Sequence, residues 1–298
     1  MRDELTWRYA RHLMMPELGA EAYERLQAGR VLVVGAGGLG SSTLFYLAAA
    51  GVGHLGIVDH DVVELSNLQR QILHSTPDLG RPKTESAAEK LRALNPEIDI
   101  VCHQTRFCEE NAAELVGSYD VVVTGVDNFP TRYLLNDACV LQRKTLVEGG
   151  IVRFSGMAIT IDGGKSACYR CLFPTPPPDG RVKCSAETGV FGPAAGIVGV
   201  IQASEAIKVL AGIGEPLYNR LLSIDLLQMD FAETPIQRDP NCPVCGEHPT
   251  ITELRELEIT SPSCRETLAT AGNAGPGGTA SAPSTRWIRC DPTGTFSP

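Results

Sequence analysis

A strand, a glycine turn and a helix in immediate succession constrain this chain more than any other feature. Four apolar residues, Val31–Val34, predict a buried strand that runs into GAGGLG and then into an Ala- and Leu-rich helix ending near Gly51. The spacing G-x-G-x-x-G suits a tight turn, a close approach of backbone to phosphate, and close packing of helix on strand. The unit therefore predicts a phosphate site at a helix N-terminus.

A second apolar run, Leu55–Val58, ends in Asp59. An acidic residue about 20 residues after the glycine turn can accept hydrogen bonds from ribose hydroxyls. This half-site predicts nucleotide binding without identifying the nucleotide. An NAD-dependent oxidoreductase is therefore an alternative to an ATP-dependent enzyme.

Composition and charge limit the other function classes. The chain has 298 residues, of which 43% are hydrophobic, enough for one large α/β domain or two smaller ones. A net charge of −9 and a pI near 5.2 disfavour a nucleic-acid surface. The longest mainly apolar stretch, Ala194–Ala203, contains glycines and is too short to cross a bilayer, and the charged N-terminus lacks an apolar signal core. We therefore expect a cytoplasmic protein with neither nucleic-acid nor membrane partners.

A polar segment after Asp59 supplies candidate phosphate ligands. The residues from Ser66 to Gln71, SNLQRQ, place an arginine and three amide side chains at the sheet end where nucleotides lie in this fold. Lys83 precedes a predicted helix, Thr84–Leu94. Arg70 and Lys83 together would neutralise a triphosphate and stabilise charge that develops during phosphoryl or nucleotidyl transfer. By composition alone, each is more often a surface charge.

Asp127 follows a predicted fourth strand, Asp120–Thr124. An acidic residue at the carboxyl end of a central parallel strand is well placed to hold Mg²⁺ while phosphates supply other ligands. The alternative is that Asp127 is the N-cap of the next predicted helix, Pro130–Leu141.

Ten cysteines include two C-x-x-C pairs, Cys168 with Cys171 and Cys242 with Cys245. Each pair can span two corners of a thiolate tetrahedron around Zn²⁺, so the two pairs predict a closed structural site, with a redox disulfide as the alternative. Cys184 lies outside both pairs, next to a lysine that would favour its thiolate. Composition alone favours an inert loop cysteine there.

The remaining elements are predicted more coarsely. Residues 3–27 favour one or two helices, on which Arg8 and Arg11 suit a solvated face. Residues from Ser261 onward are rich in Gly, Pro, Ser, Thr and Ala and predict a disordered or peripheral tail. The other predictions are strands at Ile98–Cys102, Thr145–Glu148, Gly156–Ile161, Arg220–Asp225 and Leu227–Phe231, and helices at Glu109–Val116 and Phe191–Ala211.

The ordered set of motifs resembles the ubiquitin-activating-like (E1-like) MoeB/ThiF/HesA family, whose members adenylate the C-terminal glycine of small ubiquitin-like sulfur carriers. The resemblance covers roughly Tyr9–Glu253. It is carried by RYARH, VVGAGGLGS, DxDxVELSNLQRQ, GRPK, TGVDN, both cysteine pairs and CSAETGVFGP. It implies an α/β fold: a Rossmann-like doubly wound sheet with a mostly antiparallel C-terminal extension and a zinc site of four cysteines.

The resemblance also implies roles for single residues around a bound ATP. Gly38 would contact the phosphates and Asp59 the ribose. The remaining nucleotide and triphosphate contacts would come from Ser66, Asn67, Leu68, Gln69, Arg70 and Lys83. Asp127 would bind Mg²⁺, and Asn128 would line the same pocket.

Further implied roles concern the subunit contact, the metal and sulfur transfer. Arg11 would reach into the neighbouring subunit's site, which implies a homodimer. Cys184 matches the cysteine that in some members forms a covalent acyl or persulfide link. The zinc ligands would be Cys168, Cys171, Cys242 and Cys245.

The implied activity is ATP-dependent adenylation of a ubiquitin-like sulfur carrier that ends in Gly-Gly, with ATP, Mg²⁺ and Zn²⁺ as cofactors. The carrier could serve molybdopterin, thiazole, cysteine or a secondary metabolite. Several relatives carry a rhodanese-like sulfurtransferase domain, for which residues 261–298 are too short, so we expect a separate sulfur donor. A non-catalytic carrier-binding module is a further alternative, although retention of Arg70, Lys83 and Asp127 argues against it.

The predicted organisation has four parts. Residues 1–29 form an N-terminal helical segment, and residues 30–150 form the nucleotide-binding Rossmann-like half. Residues 151–253 form the carrier-binding, zinc-clipped half of the same domain. Residues 254–298 are a linker and tail.

Overall fold

The computed structural model describes residues 7–176 and 188–257. The predictions for Cys184 and for the tail from residue 261 lie outside the described residues.

The N-terminal segment contains two short α-helices, α1 (Ala10–Leu13) and α2 (Ala20–Ala28), with a 3-10 turn between them. Tyr9 and Tyr23 are buried, and their ring centroids lie 4.8 Å apart. The Asn95 side chain donates a hydrogen bond to the Tyr9 hydroxyl at 2.7 Å. Aromatic burial therefore fixes this segment to the body of the domain.

The predicted strand, glycine turn and helix follow directly. Strand β1 (Arg30–Val34) is buried from its second residue onward, as expected for a central parallel strand covered on both faces. Helix α3 (Gly38–Ala50) ends at Gly51, whose φ of 84° is the left-handed conformation that commonly closes a helix. Strand β2 (His54–Val58) pairs in parallel with β1.

The later elements alternate helix and strand before the topology changes. They are α4 (Lys83–Leu94), β3 (Asp99–His103), α5 (Glu109–Gly117), β4 (Val121–Thr124), α6 (Phe129–Leu141), β5 (Thr145–Val152), β6 (Ser155–Asp162), α7 (Tyr169–Leu172), α8 (Gly192–Ala211), β7 (Arg220–Asp225) and β8 (Asp230–Pro235).

Within the described residues, eight strands form one sheet in the order β3-β2-β1-β4-β5-β6-β7-β8. The pairs from β3 to β5 are parallel, and those from β5 to β8 are antiparallel. The predicted fold class is confirmed. The chain leaves β1 towards β2 on one side and returns at β4 on the other. The carboxyl ends of β1 and β4 therefore flank the crevice where doubly wound folds bind ligands.

Two strand predictions need correction. β5 does not stop at Glu148 but continues through Gly149 and Gly150, because β6 pairs with both glycines across a hairpin. The last strand is not Leu227–Phe231. The Asp225 carboxylate accepts the backbone N–H groups of Leu227 and Gln228 in the following turn, so β8 starts only at Asp230.

Helix α8 is longer than Ala194–Ala203, the apolar stretch that was predicted to be too short to cross a bilayer. It is long and apolar enough to cross a membrane by length and composition, and 50% of its most apolar window is buried inside the protein. The apolar segment is longer than Ala194–Ala203, because the helix continues through its glycines to Ala211. The Thr43 hydroxyl donates to the Gly199 carbonyl oxygen at 3.0 Å, which joins α8 to α3.

Candidate functional site

The glycine turn lies where the carboxyl ends of β1, β2 and β4 meet. The Gly35 N–H donates to the Val58 carbonyl oxygen at 2.7 Å, and Gly35 has a φ of 100°. A Cβ on Gly35 would meet the Gly125 carbonyl oxygen at 2.6 Å, and a Cβ on Gly40 would meet the Gly35 oxygen at 1.9 Å. Both positions require glycine. The predicted tight turn and close helix packing are therefore confirmed.

Gly38 and Arg70 are neighbours in space. A Cβ on Gly38 would lie 3.5 Å from the Arg70 Cγ. Gly38 is the first residue of α3, whose unpaired N–H groups and positive dipole end favour an anion. Arg70 is half-buried, and its Nη1 donates to the Ser66 carbonyl oxygen at 3.1 Å. A guanidinium beside a helix N-terminus can hold a phosphate group.

Asp59 joins the glycine turn to the loop that follows β2. Its Oδ2 accepts the Ala36 N–H and its Oδ1 accepts the Asp61 N–H, each at 2.8 Å. Both carboxylate oxygens therefore have backbone donors, which fixes the orientation of the carboxylate. Further lone pairs remain on both oxygens for a ribose hydroxyl.

Lys83, at the start of α4, is tied to the same loop. Its Nζ lies 3.1 Å from the Asp61 Oδ2, and its N–H donates to the Asp61 carbonyl oxygen at 3.0 Å. The Lys83 side chain is only 7% exposed. No local sequence signal pairs Asp61 with Lys83, because the two residues lie at opposite ends of a long connection. The glycine turn with Asp59, Arg70 and Lys83 is here called the nucleotide cluster.

The segment between Asp61 and Arg70 contains a 3-10 turn, Leu65–Asn67. The Asn67 Oδ1 accepts the N–H of Glu64 at 3.2 Å, so this oxygen supports the turn. Burial differs along the predicted ligands: Asn67 is buried, Leu68 half-buried, and Ser66 and Gln69 exposed.

Asp127 and Asn128 follow β4, next to the glycine turn. The Asn128 Oδ1 accepts the Thr131 N–H at 3.0 Å, so Asn128 is the N-cap of α6. The N-cap alternative for Asp127 is therefore wrong. Asp127 is exposed at the carboxyl end of β4, two residues after Gly125, which borders Gly35.

Arg11 lies apart from these residues. It is exposed on α1, a helix at the N-terminal edge of the domain. Across residues 7–176 and 188–257, no hydrogen bond or ion pair joins Arg11 to the nucleotide cluster of its own chain.

A buried ion pair that no sequence motif predicted supports the Asp127 loop. Arg132 Nη1 lies 3.1 Å from the Oε1 of Glu148, whose side chain is fully buried on β5. Arg132 Nη2 donates to the carbonyl oxygens of Gly149 at 3.1 Å and Val126 at 3.3 Å. Burial raises the pKa of Glu148, and the nearby Arg132 charge opposes that rise. The arginine thereby links the loop carrying Asp127 to β5.

The four cysteines of the C-x-x-C pairs, here called the cysteine cluster, converge on one point. The Sγ atoms of Cys168 and Cys242 are 3.6 Å apart, those of Cys171 and Cys245 are 3.4 Å apart, and all four lie within 4.8 Å of one another. Thiolates bound at about 2.3 Å to a tetrahedral zinc ion lie about 3.8 Å apart. These distances are far longer than a disulfide bond. The cluster therefore fits zinc and not the disulfide alternative.

Neighbouring groups orient the cysteine cluster. The Asn136 side-chain amide lies 3.9 Å from the Cys168 Sγ, and the Asp239 N–H lies 3.4 Å from the Cys171 Sγ. Arg170, between the first two cysteines, is held by a bidentate pair with Asp137 on α6, with both N–O distances at 2.7 Å. The N–H donors of Asn136 and Asp239 stabilise metal-bound thiolates and fix their direction, whereas the Arg170–Asp137 pair holds the turn between the first two cysteines.

The amino-acid sequence is similar to those of known proteins over most of its length. The ThiF family profile matches residues 9–244. The chain is 50% identical to the sulfur carrier protein adenylyltransferase of Thermus thermophilus, covering 86% of this chain and 96% of that protein. It is 52% identical to the SAMP-activating enzyme E1 of Haloferax volcanii, covering 80% and 88%. It is also 48% identical to the probable adenylyltransferase/sulfurtransferase MoeZ of Mycobacterium tuberculosis, of which it spans only 65%.

Solved structures agree in fold. Escherichia coli MccB, in a crystal structure with AMPCPP and MccA, superposes with a TM-score of 0.72 at 25% identity, covering 80% of this chain and 74% of MccB. A structure of MccB with ATP gives a TM-score of 0.70. None of these relatives supports the oxidoreductase alternative. On this breadth of matching sequence and fold, the chain belongs to the ThiF family of E1-like proteins.

Proposed function

We propose that this chain adenylates the C-terminal glycine carboxylate of a small ubiquitin-like sulfur carrier at the expense of ATP. The observation that carries the proposal is the nucleotide cluster, which gathers a glycine turn, a ribose-type carboxylate and two cations at one end of the sheet. A relative that matches along nearly its whole length is named for this activity. The carrier ends in Gly-Gly, and the compartment is the cytoplasm.

ATP would lie across the crevice between β1 and β4. The N-terminus of α3 at Gly38 receives the phosphates, and Asp59 receives the ribose. Arg70 and Lys83 would contact the triphosphate from two directions, because Arg70 follows the 3-10 turn and Lys83 begins α4. Ser66 and Gln69 are exposed and can contact the nucleotide directly, whereas Asn67 and Leu68 shape the turn beneath them.

Asp127 is the proposed magnesium ligand. Its exposed carboxylate at the carboxyl end of β4 offers the hard oxygen donor that Mg²⁺ prefers, with ATP phosphates and water as the remaining ligands. The ion would offset negative charge on the phosphates. The Asn128 oxygen caps α6, so its amide NH₂ is the part that lines the pocket.

The reaction follows from these charges. A carboxylate oxygen of the carrier's last glycine attacks the α-phosphorus of ATP, the bond to the bridging oxygen breaks, and pyrophosphate leaves with the electron pair. The attacking carboxylate is already ionised near pH 7, so the chain needs no general base. Arg70 and Lys83 stabilise the negative charge on the phosphates as it shifts towards pyrophosphate.

The antiparallel part of the sheet offers a surface for the carrier. Phe154 and Phe191, with ring centroids 4.9 Å apart, are partly exposed beside β6. Leu227, Met229 and Phe231 are exposed where β7 turns into β8. Apolar side chains exposed together are a common feature of protein contacts. We assign the carrier body to this face.

Arg11 would act on the site of a second copy in a homodimer. Its exposure on α1, with no link to the nucleotide cluster of its own chain within the described ranges, agrees with a role across a subunit contact. Exposed Trp7 and Met14 flank it and supply apolar area for that contact.

The cysteine cluster would hold zinc as a structural ion. Four protein ligands close a tetrahedral site and leave no position for a substrate. Zinc would join α7 to the segment after β8. Sulfur would come from a separate donor, and Cys184 is the proposed residue for a covalent acyl or persulfide link.

The test is ATP–pyrophosphate exchange with the purified chain, Mg²⁺ and a panel of small carriers ending in Gly-Gly. Each carrier is paired with a version that lacks the last glycine. Exchange that requires one intact carrier and is lost in Asp127→Ala supports the proposal. Failure to bind ATP would overturn it. ATP binding without exchange for any carrier would overturn the assignment of partner.

A further inference from the structure

His74 is buried, and both of its ring nitrogens are engaged. Nε2 lies 2.9 Å from the carbonyl oxygen of Ala36 in the glycine turn, and Nδ1 lies 2.9 Å from the Oγ of Ser86 on α4. The ring therefore bridges the turn that receives phosphates to the helix that begins with Lys83. No step of the proposed mechanism uses this side chain.

The partners of His74 determine which nitrogen carries the proton. The Ala36 carbonyl can only accept, so Nε2 must donate. Lys90 Nζ donates to the Ser86 Oγ at 2.9 Å, which leaves the Ser86 hydroxyl proton for Nδ1. Lys90 is itself anchored by the buried carboxylate of Asp78. This chain of donors runs in one direction and selects neutral His74 with its proton on Nε2.

The charges around the ring favour the same form. Burial lowers the pKa of His74, and the ammonium groups of Lys83 and Lys90 on α4 lower it further. The hydrogen bond to Ala36 and the charge of Asp59, after β2, act in the opposite direction but do not outweigh them. A second proton would have to displace the Ser86 hydroxyl proton and would add a third cation to this region.

The peptide bond between Ala36 and Gly37 links the position of His74 to the direction of the Gly37 N–H. The Ala36 N–H is held by Asp59 and its carbonyl by His74, so side chains fix both polar groups of this residue. The peptide bond after Ala36 is planar and trans, so its carbonyl and the Gly37 N–H point in opposite directions. With the carbonyl held towards His74, the Gly37 N–H points away from it.

We propose that His74 is a positioning residue that sets the direction of the Gly37 N–H for the ATP phosphates and keeps the glycine turn in register with Lys83. This inference rests on the proposed function only for its statement that ATP is the ligand. It predicts that loss of the ring nitrogen affects phosphate contacts and spares adenosine contacts.

The first test compares His74→Phe with His74→Gln. Phenylalanine fills the volume but leaves the Ala36 carbonyl without its donor, whereas the glutamine amide can reach it. We expect His74→Phe to weaken ATP binding about tenfold, the scale of one unpaired buried acceptor. Adenosine binding should stay within about twofold of the native chain, and His74→Gln should restore most of the ATP affinity. Equal losses for ATP and adenosine, or no loss for ATP, would overturn the proposal.

The second test is the pH dependence of ATP binding, which needs no phenylalanine variant. The pKa of His74 lies below its ordinary value of about 6.5, so the ring should stay neutral from about pH 8 down to that value. Glutamine does not titrate, so the ratio of native to His74→Gln affinity should stay constant across this range. A ratio that changes across it would mean that the ring gains a charge there, and would overturn the proposal. Both tests measure binding, so they stand apart from a failure to find exchange with any carrier.

Discussion

The cysteine cluster and the nucleotide cluster assemble distant parts of the chain in opposite ways. In the cysteine cluster, four like atoms converge within 4.8 Å and three of the four residues are buried. In the nucleotide cluster, unlike side chains pair with backbone atoms or with the adjacent Asp61, and the neighbouring Ser66, Gln69 and Asp127 are exposed. One arrangement needs only a metal ion to be complete. The other leaves donors and charges available to a larger molecule.

This difference predicts that one cluster contributes mainly to stability and the other mainly to activity. A closed metal site ties chain segments together, so its loss should act on the free energy of unfolding. An open set of charges adds little to folding, because partly exposed ion pairs contribute about 0–1 kcal/mol. Its loss should act on turnover instead.

The largest effect is expected from breaking the cysteine cluster. Cys242→Ser removes one thiolate, so we expect loss of bound zinc and a decrease in the free energy of unfolding of about 4 kcal/mol or more. Zinc content per chain and denaturant unfolding measure the two effects. The matched control is Cys102→Ser, because Cys102 lies on β3 outside the cluster. Native zinc content and stability in Cys242→Ser would contradict the structural assignment.

The second-largest effect is expected from Lys83→Ala, and it should lower the exchange rate without changing the zinc content. Lys83→Ala removes a cation from the triphosphate, so exchange should fall about a hundredfold or more, while zinc content is unchanged. The control is Lys165→Ala, which breaks a lysine–aspartate pair of similar length, 3.0 Å, on an exposed turn. The native exchange rate in Lys83→Ala, or zinc loss in that variant, would remove the contrast between the two clusters.

The parallel half of the sheet was predictable because its signals are local. Apolar runs such as Val121–Val123 are read directly as central strands, and the glycine spacing fixes the turn. The antiparallel edge carries weaker signals. β8 is almost wholly exposed and lacks an apolar alternation, so its start depends on the turn at Asp225 and on pairing with β7.

The sequence motifs indicate candidate site residues one at a time but not the partners that hold them. Motifs identify Asp59, Arg70 and Lys83, whereas the partners Asp61 and Arg132 are set by tertiary contacts that a single sequence does not encode locally. One signal was available: Glu148 lies within an apolar strand, and a buried carboxylate requires a cationic partner. That rule demands an arginine or lysine nearby without identifying Arg132.

The smallest effect should come from Asp61→Asn, which tests whether the nucleotide cluster is organised before ATP binds. Asparagine keeps the Asp61 backbone contact with Lys83 and can still accept a hydrogen bond from its ammonium, but it removes the charge that holds the lysine. We expect kcat for exchange to fall about fivefold, the equivalent of about 1 kcal/mol for a partly exposed pair. The KM for ATP should not rise, because a negative charge has been removed from beside the triphosphate.

Steady-state exchange rates at varied ATP separate kcat from KM in this variant. Asp162→Asn, which breaks the exposed pair with Lys165, should change neither and serves as the control. A KM that rises while kcat is unchanged would mean that Asp61 contributes to ATP binding rather than to the orientation of Lys83. A kcat loss confined to Asp61→Asn would instead show that an ion pair of small energetic value still positions a catalytic cation. Both clusters would then be organised before their ligands bind. They would differ in what their contacts do: those of the cysteine cluster stabilise the fold, and those of the nucleotide cluster orient a cation for the reaction.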